Sequence, residues 1–504
     1  MTINKIKNVV FNKNIWVYIL LLVLFIAIRL PGLGSDILNT DAERWHRRSE
    51  NFLHALQQKN YVETYQRYHP GVTLMWFNAI VKYVSFKYQL TYTSNPLTLE
   101  NADYFVLIHG ISKAFNVFVF ASLLVIQLLF IKKLFGNKVA LLFGFLMSVE
   151  PYMIGINRWF HQTSFEVMFG FASLLSLLAW YNLDTKKRNL FHEYKYIILS
   201  AFFLTFSVLA KVTSLILGPV LLIVFIAKFV KDKKIDFKAV LIYGFSFALF
   251  IFAFFPALWV DPVFVFNKMY NPISEAVTDN IRADILAGPL NYLYYAVILL
   301  FKLSPVTLIL FLISFWGLRK TKDFNVKILI LSIFNYYIFL TLTDQKIDRY
   351  ALIFIPFILL LSSLYLVTLS KKVVSIVLSL SFAFFIYVAY VYYPVYSAYY
   401  SPLFGGTNKA LSVGVYDNSG EYFAQAMLYL NTKGRDVYTY VPDGFSSSLL
   451  FYKGKIQRDR NAQTQYVVKS YDMVRLDPTD PFCTTLDSSF GSKEHAIVFV
   501  WRCF

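Results

Sequence analysis

Long apolar runs separated by short polar breaks dominate this chain. Runs such as 15–28 and 215–227 lack the period-two alternation of a barrel strand. They approach the roughly 20 residues with which a helix crosses a ~30 Å hydrocarbon layer. Inside a bilayer the backbone has no water to bond, so each apolar segment must satisfy its own N–H and C=O groups, as a helix does. The pattern predicts eleven membrane helices, at 15–33, 106–131, 139–155, 164–182, 196–210, 212–229, 239–259, 292–317, 327–343, 350–369 and 373–392. The first run continues into Arg29-Leu30-Pro31-Gly32 without a small-residue cleavage site, so it reads as a retained helix rather than a signal peptide.

The polar breaks test this reading independently. Lys5, Lys7 and Lys13 precede the first helix, and every second break is then short and basic: Lys132/Lys133/Lys138, Lys186/Lys187/Arg188, Lys228 to Lys238, Arg319 to Lys327, and Lys371/Lys372. Such alternation places the N-terminus on the cytoplasmic side, and an odd number of crossings places the C-terminus outside. The intervening breaks differ. The first outer loop, 34–103, is long and holds an amphiphilic stretch at 71–86 expected to lie at the membrane surface; a second long outer loop spans 260–289. After the last helix the composition becomes that of a soluble protein. A helix at 420–430 and strand-like runs at 436–441 and 496–501 suggest a small extracytoplasmic α/β domain over 393–504, following a membrane domain over 1–392.

Composition agrees. Of 504 residues 57% are hydrophobic and only 15% charged, where soluble domains hold about a quarter. The net charge of +18 would suggest nucleic acid in a soluble protein; here much of it sits in inner loops and acts as a topology signal, so no nucleic-acid partner is expected. The two cysteines, Cys483 and Cys503, are available for a disulfide if that end faces an oxidising compartment.

The outer loops carry the candidate chemistry. Asp41 and Glu43 stand where the chain leaves the lipid; partial desolvation there raises a carboxylate's pKa and improves it as a general base. Asp41 also fits an N-cap for a helix over 42–56. His69-Pro70-Gly71 forms a rigid turn. Arg158, His161 and Gln162 crowd one outer boundary, Lys211 lies between two apolar runs, and Asp344 to Tyr350 supplies Lys346 and Arg349. Cations on the outer side run against the positive-inside bias, and a shared phosphate explains them, although each alone fits an interface anchor. Asp261 precedes Pro262 at another outer helix end and also fits a turn. Walker, dinucleotide and HExxH or CxxC motifs are absent, which argues against a nucleotide-driven pump or a soluble-type metalloenzyme.

The ordered set Asp41 with Glu43, His69-Pro70-Gly71, the Arg158 segment 157–163, Leu209-Ala210-Lys211-Val212-Thr213, and Lys346 to Tyr350 followed by Pro356 resembles the glycosyltransferase-C superfamily. The branch it resembles is that of the protein O-mannosyltransferases and their bacterial and archaeal relatives, including the aminoarabinose transferases. Ala42 separates the usual adjacent Asp-Glu pair, so only Asp41 maps directly, and Thr163 stands where many relatives carry Asp. The C-terminal part, with Pro402-Leu403-Phe404-Gly405-Gly406, looks closer to bacterial relatives than to the sugar-binding trefoil of the eukaryotic enzymes.

The resemblance implies a polytopic helical membrane enzyme, a hexosyltransferase taking sugar from a polyprenyl-phosphate donor. The acceptor is a protein hydroxyl, a lipid or a glycan on the outer face, and transfer inverts the anomeric centre. Asp41 is then the general base. Arg158, His161, Lys211, Lys346 and Arg349 hold the lipid phosphate, and His69 and Asp261 support them. No metal ligand set is legible, and the resemblance leaves a divalent metal open. A lipid-linked glycan polymerase, ligase or flippase is the alternative; a secondary transporter is disfavoured because helix centres are nearly free of charge. Whatever the acceptor, Asp41 and Arg349 must meet at one wet edge of the bilayer.

Overall fold

The computed structural model describes residues 13–92, 97–183, 190–278, 288–343, 346–476 and 482–503. Lys5 and Lys7, the inner-loop residues Lys186, Lys187 and Arg188, positions 279–287 of the second outer loop, and Asp344 with Gln345 lie outside the described residues.

The chain is an integral, multi-pass membrane protein, mostly helical, ending in a small β-sheet region. The helices that overlap the expected spans are α1 (Lys13–Arg29), α4 (Ala102–Phe135), α5 (Asn137–Val149) with α6 (Pro151–Asn157), α7 (Thr163–Tyr181), α8 (Leu190–Ala210), α9 (Gly218–Asp232), α10 (Phe237–Phe254), α12 (Tyr294–Lys302) with α13 (Pro305–Leu318), α14 (Phe324–Leu342), α15 (Ile355–Leu366) and α16 (Lys371–Tyr392). Seven spans among the described residues are long and apolar enough to cross a membrane, or eight if the bent pair α5–α6 is one span. α1, α8 and α13 hold shorter apolar stretches.

Two expected helices are broken. α5 and α6 meet at 65° across Glu150-Pro151, where proline removes an N–H and favours a new first turn. The run expected at 292–317 divides at Leu303-Ser304. Ser304 caps α13 by accepting from the Thr307 N–H, and the Glu150 carboxylate accepts from the Ser304 N–H and hydroxyl, both at 2.9 Å, and from the Thr307 hydroxyl at 2.5 Å. One buried carboxylate at the first break therefore satisfies donors at the second and ties the two together.

The first outer loop holds α2 (Ala42–Gln57) and α3 (Val72–Tyr92), and α11 (Pro262–Thr278) lies in the second. α3 covers the stretch expected at the membrane surface and extends beyond it; it is not among the candidate spans. Its Val72, Met75 and Ala79 pack with Phe52 of α2 and with Leu209, Phe255, Leu258 and Val265 in a small apolar cluster separate from the main core. α4 has 34 residues, about 50 Å at helical rise, so its first turns project past the hydrocarbon and bury His109, Lys113 and Asn116 against the outer loop.

The C-terminal region contains α17 (Gly406–Ser412), α18 (Phe423–Leu430) and α19 (Tyr471–Leu476) with a five-stranded mixed sheet of order β2-β1-β3-β5-β4. Its strands are β1 (Tyr438–Tyr440), β2 (Lys455–Gln457), β3 (Tyr466–Ser470), β4 (Thr485–Gly491) and β5 (Ala496–Arg502). Cys483 and Cys503 are joined by a disulfide. This region grips the first loop directly: Thr40 N–H donates to the Ser419 carbonyl at 3.1 Å, and Gln425 donates to the Ser35 carbonyl at 2.8 Å. Gly420, at φ +97°, passes so close that a Cβ would lie 2.7 Å from the Leu38 carbonyl.

Candidate active site

α2 begins at the site. Its buried residues Ala42, Trp45, His46, Ser49 and Phe52 recur at three- and four-residue steps, so the opposite face presents Arg44 and Arg48, one turn apart. Asp41 occupies the N-cap position but its side chain caps nothing. The carboxylate turns outward, and Oδ2 accepts from Arg349 Nη2 at 3.1 Å across 308 positions of sequence. The turn before α3 closes one wall. Gly71 sits at φ +59° against the Trp45 ring, where a Cβ would come within 2.0 Å, and its N–H donates to the Ala210 carbonyl at 3.2 Å. That bond sets His69 beside Lys211, the residue after Ala210.

These elements enclose a cavity of about 150 Å³ lined by Asp41, Arg44, Trp45, Arg48, Arg67, Tyr68, His69, His161, Gln162, Lys211, Ile347, Arg349 and Tyr350. Lys211 Nζ stands 3.5 Å from the Tyr350 ring centroid and 3.7 Å from Glu166 Oε2, and the other Glu166 oxygen accepts from the Thr213 hydroxyl. The His161 tautomer follows from its neighbour: Nδ1 accepts from the Thr163 N–H at 3.2 Å, so the proton sits on Nε2, which faces Asp41 Oδ2 at 3.6 Å. That distance is too long for a hydrogen bond and makes a close dipole instead. Three buried polar atoms on the wall, His69 Nδ1, Gln162 Oε1 and Arg349 Nε, have no hydrogen-bond partner among the described residues. Other buried side-chain atoms, such as Trp180 Nε1 and Gln127 Oε1, also lack a partner among the described residues, but these three belong to residues that line a cavity a ligand can enter.

Electrostatics corrects one expectation. Burial does push Asp41 up, but His161, Arg349 and Arg44 outweigh it and hold the carboxyl well below the usual carboxylate range. Asp41 is thus firmly ionised and, with Arg349 attached, a weak base. Burial takes His161 down to about 4, with Arg349 and Lys211 reinforcing it against the pull of Asp41, so the ring is neutral at pH 7. His69 is lowered by burial and then by Lys211 and His161.

Five expected residues therefore share the wall: Asp41, His69, His161, Lys211 and Arg349. Four do not line it. Glu43 pairs with Arg47 at 3.0 Å. Arg158 is buried, donating to Asp36 at 3.0 Å and to the Arg29 and Pro31 carbonyls at 2.8 Å. Lys346 donates to the Thr343 carbonyl at 2.7 Å. Asp261 caps α11, accepting from the Phe264 N–H at 2.8 Å. The sequence reading missed Arg44, Arg48, Arg67 and Tyr68 on the wall and Glu166 behind it. Arg44 and Arg48 were detectable as the third and seventh residues after Asp41, on one helical face.

A second cavity, about 450 Å³ and apolar, begins beside the first. Pro70, Leu209 and Val212 line it, each within two positions of a polar-cavity residue, and it continues along Phe247, Ile251, Phe255, Val265 and Met269 between α8, α10 and α11.

No family model and no curated protein matches the sequence. Solved structures do match by shape. ArnT from Cupriavidus metallidurans, bound to undecaprenyl phosphate, is similar over 97% of this chain and 98% of its own, with TM-score 0.53 at 11% identity. The chain has the ArnT fold. The apo form of ArnT gives TM-score 0.52 at 11% identity over 96% and 97% of the two chains. The apo oligosaccharyltransferase of Archaeoglobus fulgidus gives 0.49 at 12% identity, over 92% of this chain and 70% of its own. The ArnT-like architecture is the glycosyltransferase-C fold to which the ordered motifs pointed, with the small sheet region following the helices.

Proposed function

We propose that this protein is a membrane glycosyltransferase that moves a sugar from a polyprenyl-phosphate-linked donor to a hydroxyl acceptor at the outer face of the membrane. The observation that carries this reading is the contact of Asp41 with Arg349 on a cation-lined cavity, with an apolar groove beside it. The groove suits an isoprenoid tail and the cations suit the phosphate at its head. The ArnT structure of the same fold was solved with undecaprenyl phosphate, which supports the same class of donor here.

In this mechanism the acceptor oxygen attacks the anomeric carbon from the face opposite the phosphate. The carbon–oxygen bond to the phosphate breaks, its electron pair leaves on the phosphate oxygen, and the configuration inverts. Asp41 takes the acceptor proton. Arg349 and Lys211 stabilise charge growing on the leaving phosphate, in a site arranged before the reaction begins. The phosphate also competes with Asp41 for Arg349. Donor binding therefore draws positive charge off the carboxylate and raises its basicity only when substrate is in place. Neutral His161, with Nε2–H aimed at Asp41, holds that carboxylate's orientation.

A divalent metal would need oxygen or nitrogen ligands here. The described residues contain no group of three His, Cys, Asp or Glu able to hold one, and Asp41 is the sole carboxylate among the described residues of the wall. The N-terminus is placed in the cytoplasm and the C-terminal region outside on the strength of the alternating basic breaks. The acceptor class is left as protein hydroxyl, lipid or glycan.

Incubating membranes that hold the protein with radiolabelled polyprenyl-phosphate sugars tests the proposal. Label should leave the lipid phosphate for a new product, and should stay on it with Asp41→Asn. Turnover by Asp41→Asn equal to wild type would remove the base assignment. Label that crosses the bilayer unchanged would replace transfer with flipping.

A further inference from the structure

Charge around the cavity is unevenly balanced. In its depth Arg349 meets Asp41 at 3.1 Å and Lys211 meets Glu166 at 3.7 Å. The rim differs. Arg44, 69% exposed, comes only within 3.9 Å of Asp41, and neither Arg48 nor Arg67 has a carboxylate partner among the described residues. Their guanidinium groups lie over the Trp45 and Tyr68 rings, 4.5 and 5.1 Å from the centroids. Five cations around the cavity thus face two carboxylates, one on the wall and one behind it, leaving three positive charges over. The rim cations also repel one another: burial and then Arg67 bring Arg48 down to about 10. Folding holds like charges together here with Asp41, already bound to Arg349, as the carboxylate that partly offsets them, an arrangement that suits an anionic ligand.

A sugar on a lipid monophosphate is a phosphodiester with a single negative charge, and the lipid phosphate it releases carries about two at most. Neither matches the surplus. From that mismatch, and from the contrast between paired inner cations and a rim where Arg48 and Arg67 have no carboxylate partner among the described residues and Arg44 only shares Asp41, we infer that the cavity takes two phosphate groups at once. One sits at Arg349 and Lys211, the second at Arg44, Arg48 and Arg67. The inference rests on the transferase reading above and deepens it. The second phosphate has two chemical sources: a diphosphate link in the donor lipid, or a phosphate on the acceptor. Arginine suits both, since its planar fork meets phosphate oxygens in pairs.

The test uses the purified full-length protein in nanodiscs of zwitterionic phosphatidylcholine, with titration calorimetry as the readout. The probes are undecaprenyl phosphate, undecaprenyl diphosphate, and inorganic phosphate added after undecaprenyl phosphate has saturated the protein. If the donor supplies both phosphates, the diphosphate binds about tenfold more tightly than the monophosphate. Arg48→Gln and Arg67→Gln each shrink that ratio, and Arg48→Lys restores part of it. If the acceptor supplies the second phosphate, the two lipids bind alike, and inorganic phosphate gives a further saturable event that both Gln variants remove. Either pattern supports the inference. Arg67 is exposed, so its replacement reports on charge and not on folding. Monophosphate binding that Arg349→Gln weakens, with neither a diphosphate preference nor a second event, overturns the two-phosphate inference alone. Lipid binding that is absent, or indifferent to Arg349→Gln, overturns the transferase reading and this inference with it.

Discussion

Two aspartates five residues apart meet the same kind of partners and arrive at opposite ends. Asp36 is fully buried, with Lys113 Nζ at 2.5 Å and Arg158 Nη2 at 3.0 Å, both equally out of solvent. Asp41 is 26% exposed and holds Arg349 at 3.1 Å, with His161 and Arg44 farther off. In both, burial pushes the carboxyl up and neighbouring cations overcome it, so both are lowered. The difference lies in the cations' other contacts. Around Asp36 they go on to backbone: Lys113 to the Ile37 carbonyl, and Arg158 to those of Arg29 and Pro31. Around Asp41 the unpartnered buried atoms on His69, Gln162 and Arg349 belong to residues that line a cavity, whereas Arg158 Nε, unpartnered beside Asp36, does not. A charge pair whose cations also bind backbone anchors a loop. A pair on the wall of a cavity, bordered by unmet donors and acceptors, marks a place for a ligand.

The widest gap between the two should appear in activity. Asp41→Asn removes the proposed proton acceptor, and we expect turnover to fall by about 10²–10⁴. Its thermal midpoint should stay close to wild type, because a partly exposed pair contributes only about 0–1 kcal/mol. Label-transfer rates and thermal unfolding of the same preparation check both halves; a large fall in the midpoint would make Asp41 another anchor.

Asp36→Asn should invert that result. It strands Lys113 and Arg158 without a counter-charge in a site that excludes water, a loss of about 3–5 kcal/mol. Unfolding should begin at markedly lower temperature, and any activity lost should follow the folded fraction. Arg158→Gln should behave the same way. Phosphate binding weakened in Arg158→Gln protein of normal stability would return Arg158 to the site that the sequence suggested for it.

The contrast also shows what the sequence can and cannot express. Membrane helices were readable because each apolar run is long and continuous; Lys211 and Arg349 were readable as outer-loop cations that the charge rule leaves unexplained, and Asp41, His69 and His161 from their places in the ordered motifs. Arg158 met the same rule, but its reason is Asp36, an unremarkable loop residue whose burial emerges only when α4 brings Lys113 alongside. Glu166 was hidden inside an apolar run and acts through Lys211, 45 positions away. The break at Leu303-Ser304 depends on Glu150, 154 positions distant, so nothing local announces it. Arg44 and Arg48 were visible as a helical face, but a charged helix face is ordinarily solvated, and only the cavity gives theirs another meaning.

Between the cations, Arg349 and Lys346 sharpen the comparison further. They are three residues apart, yet Arg349 reaches the wall while Lys346 is turned back to the Thr343 carbonyl. Arg349→Gln should weaken undecaprenyl phosphate binding by about 1.5–3 kcal/mol, roughly ten- to a hundredfold in affinity. Lys346→Gln should change it less than threefold, within about 0.6 kcal/mol. Equal effects would mean that the phosphate lies across the whole loop and not at the Asp41 contact.

The smallest expected effect is the most specific to Asp41. In the free protein His161, Arg349 and Arg44 hold the carboxyl low against burial, so it stays ionised as pH falls and resists the proton that the proposed mechanism delivers to it. If the donor phosphate takes over Arg349, part of that restraint goes, and the carboxyl pKa in the complex rises towards its ordinary value. The acid limb of kcat reports the complex, and that of kcat/KM the free enzyme. The kcat limb should therefore lie at higher pH, by about one unit for each ~1.4 kcal/mol of Arg349 interaction transferred to phosphate. The phosphodiester itself stays ionised throughout and adds no limb of its own. With Arg349→Gln the free carboxyl is already released, so the two limbs should draw together. Asp36, whose cations no ligand reaches, predicts no such separation, and coincident limbs in the wild-type protein would place Asp41 in the same class.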